Sequence, residues 1–382
     1  MLPTIQGAQQ VARSSLIPTI KSSIAAGVRH VSNSVAPIRN KVAIIGPAGA
    51  IGASLLLNAV NAQADDVYAV VRPSRVTEIH EKGISVKHGD TTTVVMPSKH
   101  PSLHVVGSLK DVPEGTIVVN TVKNHQLMDS LKDLQPGHEL VLIQNGLGHD
   151  EQVQKVLPGA KVHKAISYVA ARQLPGRGVQ TQGGYVQIGA GALAERLKSA
   201  FADQSVFEVR EVPDITVAQW QKAALNCALN PLATIFGCKM SELSENEDYH
   251  TVAKVVLAEV CNVGEKVGVF RPGDNAYSAV YNEFQRLTAK FPDHPTSMQL
   301  SFKAGEKTEI PALNAYVAGK GKELGIAVPV NEFIATSMAH FDDVRRGSLN
   351  HDQFQLEHGG TLSETGQHLV DLAKHQLRLT EA

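Results

Sequence analysis

Apolar and polar positions fall into two regimes along the chain. Up to about Val212, short apolar runs bounded by glycine and polar clusters recur, and such runs predict buried strands at 42–46 (VAIIG), 66–72, 116–122, 139–143, 162–170, 184–188 and 207–212. The stretch 53–62 (ASLLLNAVNA) predicts a helix, and 83–97 alternates as a hairpin would, adding edge strands. From Ile215 the spacing turns helical, with helices expected over 215–230, 249–267, 276–290, 303–324 and 330–345. Residues after about Gly347 are polar and weakly patterned, with one more helix there. The boundary near Pro213 therefore separates an α/β domain, 41–212, from an all-α domain, 213–382.

One helical stretch breaks its own pattern. In 220–231, WQKAALNCALNP, apolar residues cover the whole circumference, the mark of a buried helix, yet Lys222, Asn226 and Asn230 remain. Their spacing of four puts them on one stripe. An ammonium buried without a partner is costly, so the stripe calls for a carboxylate or a wet cleft. The plain alternative is that Lys222 reaches out to solvent and that Asn230, before Pro231, closes the helix.

The strand at 42–46 runs straight into Gly46-Pro-Ala-Gly49-Ala50-Ile51-Gly52 and then a helix. Strand, glycine turn and helix make the first unit of a Rossmann-type dinucleotide-binding domain. Gly49 lets backbone approach a pyrophosphate, Gly52 lets helix and strand pack closely, and the helix N-terminus draws negative charge. The spacing G-x-x-G-x-x-G is one residue longer than the commoner form. Gly46, Gly49, Ala50, Ile51 and Gly52 are accordingly candidate cofactor contacts. About twenty residues past Gly52, where an acidic residue would select NAD, stand Arg72 and Arg75, cations that suit a 2′-phosphate. NADP(H) is the expected cofactor. Two later strands end in polar clusters, Lys123-Asn-His-Gln126 and Gln144-Asn145-Gly146-Leu-Gly148, at the carboxyl ends where open α/β sheets bind ligands. Lys123 could equally start a helix and Asn145-Gly146 could be a turn.

Composition narrows the field. A net charge of −1 gives no electrostatic case for nucleic acid, and no apolar run of membrane length occurs. Three cysteines, Cys227, Cys238 and Cys261, have no metal spacing and read as buried thiols. Residues 1–40 carry Arg13, Lys21, Arg29 and Arg39 with many serines, and the first acidic residue is Asp65. That is the composition of a mitochondrial transit peptide, with a disordered tail as the alternative and a cytoplasmic protein as its consequence. Loss of those four cations would take the net charge from −1 to −5.

Taken together, the glycine loop, Arg72, Val122-Lys123 with Gln126, QNGLG at 144–148, the Lys222-x-x-x-Asn226-x-x-x-Asn230-Pro231 helix, Ser297-Met298 and Thr308-Glu309-Ile310 resemble the ketopantoate reductase (2-dehydropantoate 2-reductase) family over about 41–331. The resemblance implies NADPH-dependent reduction of a 2-oxo acid, ketopantoate to pantoate on the route to pantothenate and coenzyme A, in a cleft between the two domains. It implies Lys222 as proton donor, Glu309 as its companion in the site, and Asn145, Asn226, Asn230 and Ser297 around the substrate. Lys123, Gln126 and Asn145 would also meet the cofactor. Ser297 could instead cap a helix, and Glu309 is expected on a helix beside Leu313 and Val317, supplying the carboxylate that Lys222 needs. Ser301, Lys307 and Pro311 depart from the family's usual Asp, Arg and Asp, and Asn314-Ala315 from its Asn-Gly, departures on the substrate side that bear on which 2-oxo acid is reduced and not on the chemistry. A reductase of another carbonyl compound and a catalytically silent NADP(H)-binding sensor are the competing readings. The partner is a small molecule, with no nucleic acid and no membrane; a homodimer is compatible with the sequence and not fixed by it.

Overall fold

Alternate residues of the first strand serve two different cores: Val42 and Ile44 join one apolar cluster, Ala43 and Ile45 the other. A strand buried on both faces has to read as a continuous apolar run. In the computed structural model, which describes residues 41–345 and 361–381, the strands are β1 (Lys41–Ile45), β2 (Asp66–Val70), β3 (Ile84–His88), β4 (Thr91–Val95), β5 (Leu103–Val106), β6 (Ile117–Asn120), β7 (Glu139–Leu142), β8 (Lys161–Ser167), β9 (Ala170–Gln173), β10 (Val179–Gly183), β11 (Tyr185–Gly189) and β12 (Glu208–Val212). Eight form a sheet in the order β12-β11-β8-β7-β6-β1-β2-β5, parallel except between β8 and β11. The chain passes outward through β2 and β5 and returns to lay β6 against β1, so the strand order reverses between β1 and β6, where such sheets open a ligand crevice.

The alternating segment 83–97 does not extend this sheet. Its strands β3 and β4 join β9 and β10 in a separate four-stranded sheet, order β4-β3-β10-β9. That sheet covers the helix Ala50–Asn61, whose other side rests on the main sheet. Gly52 through Val60 are consequently all buried, which is why the run is apolar on every face.

The run expected as one strand over 162–170 is two. β8 stops at Ser167, Tyr168 and Val169 turn, and β9 begins in the other sheet. The return path switches beside it, from β10 to β11 through Gly183 (φ +79°) and Gly184 (φ +137°). A Cβ on Gly184 would lie 2.2 Å from the Tyr168 carbonyl oxygen, so only glycine lets the two crossings run so close.

Beyond β12 the described chain is helical. The helix Ile215–Phe236 is capped by Asp214, whose carboxylate accepts from the Thr216 and Val217 amides, and it ends at Gly237 in the left-handed conformation. It does not close at Asn230 but continues through Pro231. A proline inside a helix leaves the carbonyl four residues back without its donor, and here the Asn314 side-chain amide donates to that oxygen, Cys227 O, at 3.1 Å. Glu247–Lys266, Ala276–Lys290, Ser297–Lys303, Pro329–Arg345 and Leu362–Glu381 pack around it. The single helix expected over 303–324 is broken. Gly305 takes φ +70°, Pro311 lacks an N–H, and a short 3₁₀ turn Ile310–Ala312 precedes the helix Asn314–Leu324. Glu309 therefore stands before the 3₁₀ turn and not on a helix. The described residues cluster as one unit. The expected targeting segment and residues 346–360 lie outside the described residues, while the further helix expected after Gly347 is present as Leu362–Glu381.

Candidate active site

Parallel strands bring their carboxyl ends to one edge, and four candidate segments follow directly: Gly46 after β1, Arg72 after β2, Lys123 after β6 and Asn145 after β7. The glycine loop has the shape its composition implies. Gly46 takes φ +81°, and the Gly49 N–H closes the turn on Gly46 O at 2.9 Å. A Cβ on Gly52 would lie 2.2 Å from Gly46 O and 2.6 Å from Thr121 Oγ1. Thr121, after β6, ties the loop to the neighbouring strand by donating to Ile45 O at 2.7 Å. Gly49 is the N-cap of Ala50–Asn61, so Ala50 and Ile51 open a helix whose first amides face out of the turn.

Arg72 is exposed and, among the described residues, enters no ion pair, whereas Arg75 is held by Glu78 at 3.1 Å, a carboxylate that Arg177 also grips. The buried Gln144 Oε1 and Asn124 Oδ1 have no hydrogen-bond partner at the same strand ends. A cradle that a Cβ would fill, a helix N-terminus, an uncommitted guanidinium and two orphaned acceptors fit a dinucleotide with a 2′-phosphate.

The cation of the helical stripe meets this edge. Lys222 Nζ donates to Asn145 Oδ1 at 2.9 Å and to Ser167 O, with the ring centroid of Tyr168 4.6 Å away. Ser167 O is open to it because β8 outruns β7, whose last partner is Lys164. Asn145 Nδ2 in turn donates to Glu309 Oε2 at 3.2 Å. The expected direct pairing of Lys222 with Glu309 is thus replaced by a relay through one amide. Burial lowers Lys222 from the ordinary lysine value to about 8, against the opposing pull of Glu309. Burial likewise raises Glu309, while the Asn145 hydrogen bond and the charges of Lys222 and Lys123 act to lower it.

Backbone contacts fix the relay. Gly146, at φ +97°, lies so close to the 3₁₀ turn that a Cβ would be 2.4 Å from Ala312 O, and the Leu147 N–H donates to that oxygen at 2.8 Å. On the other side of Glu309, Asp342 Oδ2 accepts from Thr308 Oγ1 at 2.6 Å and from its N–H at 3.0 Å.

Other candidates are placed less centrally. Asn226 and Asn230 continue the stripe from Lys222, and among the described residues neither side-chain amide is bonded to protein; Asn230 is buried and Asn226 partly so. Ser297 is exposed in the first turn of its helix, and the cap is Thr296, which forms a capping box with Gln299. No hydrogen bond joins Ser297 to the relay. Lys123 is paired with Glu306 and lies 3.4 Å from Ser301 Oγ, so two residues of the divergent 301–311 stretch engage it. Gln126 is exposed, with no side-chain bond described. Ser167 and Tyr168 were missed because a single strand over 162–170 hides its end; the carboxyl end of β8 is the signal that would have found them.

Burial pushes all three free cysteine thiols up, which keeps them protonated. Among the described residues no group of three His, Cys, Asp or Glu could hold a metal ion, and no helix is long and apolar enough to cross a membrane.

Comparison with known proteins agrees with the geometry. Residues 42–192 match the family model described as ketopantoate reductase PanE/ApbA, and residues 214–341 match its C-terminal model. The chain is 26% identical over 310 residues to the 2-dehydropantoate 2-reductase of Pyrococcus abyssi, covering 76% of this chain and 94% of that one. Its fold is similar to a PanE/ApbA family ketopantoate reductase from Ralstonia eutropha, with a TM-score of 0.68, 24% identity and coverage of 80% and 99%. It is also similar to D-mandelate dehydrogenase crystallised with NADH and anilino(oxo)acetate, with a TM-score of 0.67, 20% identity and coverage of 80% and 99%.

Proposed function

The chain belongs to the ketopantoate reductase family, and we propose that it reduces the ketone of a 2-oxo acid, 2-dehydropantoate foremost, to the hydroxy acid with NADPH. The observation that carries this reading is the Lys222–Asn145–Glu309 relay at the carboxyl edge of a parallel sheet whose glycine turn fits a dinucleotide. Gly46, Gly49, Ala50, Ile51 and Gly52 would hold the pyrophosphate, Arg72 the 2′-phosphate, and Gln144 and Asn145 the strand-end half of the cofactor. Lys123 would join them only by leaving Glu306. NADPH bound there would supply the hydride.

The protein's own part is the proton. As the carbonyl carbon accepts an electron pair, charge builds on oxygen, and an ammonium both stabilises it and transfers a proton to it. Lys222 is suited to this because burial has lowered its proton affinity while Asn145 Oδ1 and Ser167 O still hold it in the charged form. Glu309 fixes the sense of the Asn145 amide: by accepting from Nδ2 it leaves Oδ1 for Lys222. The unpartnered amides of Asn226 and Asn230 are available to the substrate's carboxylate and hydroxyl.

The test is oxidation of NADPH by the purified protein across a panel of 2-oxo acids. Turnover of 2-dehydropantoate above the others supports the assignment. Preference for another member moves the substrate, as the residues around Ser301 allow, and cofactor binding without any turnover leaves a sensor. We further propose that residues 1–33 direct the chain to mitochondria; a reporter fused after residue 45 that stays in the cytosol would reject it. The homodimer expectation is checked by light scattering of the same preparation.

A further inference from the structure

Among the described residues, Lys222 lacks the counter-ion that a buried ammonium normally has. Its oxygen partners, Asn145 Oδ1 and Ser167 O, are both neutral, and Glu309 is reached only through Asn145. The remaining group at the ammonium is the ring of Tyr168, with its centroid 4.6 Å away, inside the range where the negative face of an aromatic ring attracts a cation. We propose that Tyr168 is a positioning residue for Lys222, its ring face supplying the electrostatic support for the ammonium that no carboxylate supplies by contact.

The ring is fixed for this role. The Tyr168 N–H donates to Tyr185 O at 2.8 Å, and the two rings stack at 4.7 Å with 23° between their planes. Arg210 stands 4.1 Å from the Tyr185 centroid and is held in turn by Glu208 at 2.8 Å. A column of cation, ring, ring and cation thus runs from the candidate site to the β11–β12 edge of the sheet. The phenol stays neutral wherever Lys222 titrates: although the residue is 38% exposed, partial burial, then Tyr185 and Glu283, push it up to about 12. Tyr168 therefore acts through its π face and not as a phenolate. The other ionisable groups that face the pair are Glu309 from the 308–312 segment, Tyr185 from β11 and Glu283 from the Ala276–Lys290 helix, and all are kept in the variants below.

The inference rests on Lys222 being the proton donor, and the experiment separates the two. The dependence of kcat/KM on pH is measured for the full chain, for Tyr168→Phe, which keeps the face, for Tyr168→Leu, which removes it, and for Lys222→Ala. Phenylalanine should leave the basic limb in place. Leucine should move it to lower pH by roughly half a unit to one and a half units, with NADPH affinity unchanged. If the leucine variant does not fold, a series of fluorinated phenylalanines at 168 keeps the shape and weakens the face, and the limb should fall step by step with fluorine number. A limb that coincides in wild type and Tyr168→Leu, one that phenylalanine moves as far as leucine does, or one indifferent to fluorination overturns the role of the ring. Near wild-type turnover in Lys222→Ala would instead overturn the donor assignment, whatever residue 168 does.

Discussion

Lys222 and Glu309 do not touch; the side chain of Asn145 spans them, accepting from the lysine at 2.9 Å and donating to the glutamate at 3.2 Å. A direct ion pair would have held the lysine charged to high pH. With an amide between them, burial dominates and Lys222 falls to about 8. The charged donor is then the form present below that value and is lost above it. Turnover should decline as pH rises through about 8, and Lys222→Ala should lower kcat by about 10²- to 10⁴-fold while NADPH affinity is kept. Steady-state rates over pH 6 to 10, with fluorescence titration of NADPH, check both.

Glu309→Gln keeps an acceptor for Asn145 and removes a buried charge. Because the native carboxyl is raised above its ordinary value, the unfolded chain gives up this proton first as pH rises, so ionisation of Glu309 costs stability. The cost is absent below about pH 4.5 and complete once the native carboxylate has ionised. The glutamine variant should therefore match wild type in thermal unfolding at pH 4 and equal or exceed it at pH 7.5, while turnover falls. A lower melting point at pH 7.5 would show that the carboxylate is structural.

The parts of this site that were legible from sequence share a local cause. The glycine turn, Arg72, Asn145 and the Lys222 stripe all follow from residue type at fixed spacing within one strand end or one helix. What could not be read came from elsewhere in the chain. Pro231 reads as a helix end unless one knows that Asn314, 83 positions later, satisfies Cys227 O. The strand over 162–170 looks continuous because nothing local reports that the chain leaves the main sheet after Ser167 and that Ala170 opens a strand paired with β10. The break at 304–313 was available in Gly305 and Pro311, but apolar periodicity on either side outweighed them. Ser297 matched a motif, yet its own helix is capped by Thr296.

Arg72→Ala should weaken NADPH by about tenfold to over a hundredfold, the range of one charge-assisted hydrogen bond, and leave NADH nearly unchanged. Arg75, already held by Glu78, should show a much smaller effect. Equal losses for both cofactors in the Arg72 variant would remove it from the 2′-phosphate site.

Gly146→Ala places a methyl group 2.4 Å from Ala312 O at a backbone angle of φ +97°. The 144–148 loop must then lift from the turn that follows Glu309, parting Asn145 from its partner. A stability loss of about 1–3 kcal/mol is expected, with kcat reduced more than NADPH affinity. Denaturant unfolding and steady-state kinetics on one preparation would show whether the two losses occur together.

The exchange between Pro231 and Asn314 has a consequence for how this sequence can drift. Proline without the asparagine leaves a buried carbonyl orphaned; asparagine without the proline would share with the helical N–H a carbonyl oxygen that has two lone pairs. The dependence runs one way, because Asn314 also donates to the buried Asn331 Oδ1 at 2.9 Å and so has a partner to serve whatever stands at position 231. A lineage can therefore acquire proline at 231 only after asparagine is in place at 314, an order of events that keeps Lys222, Asn226 and Asn230 on one unbroken helix.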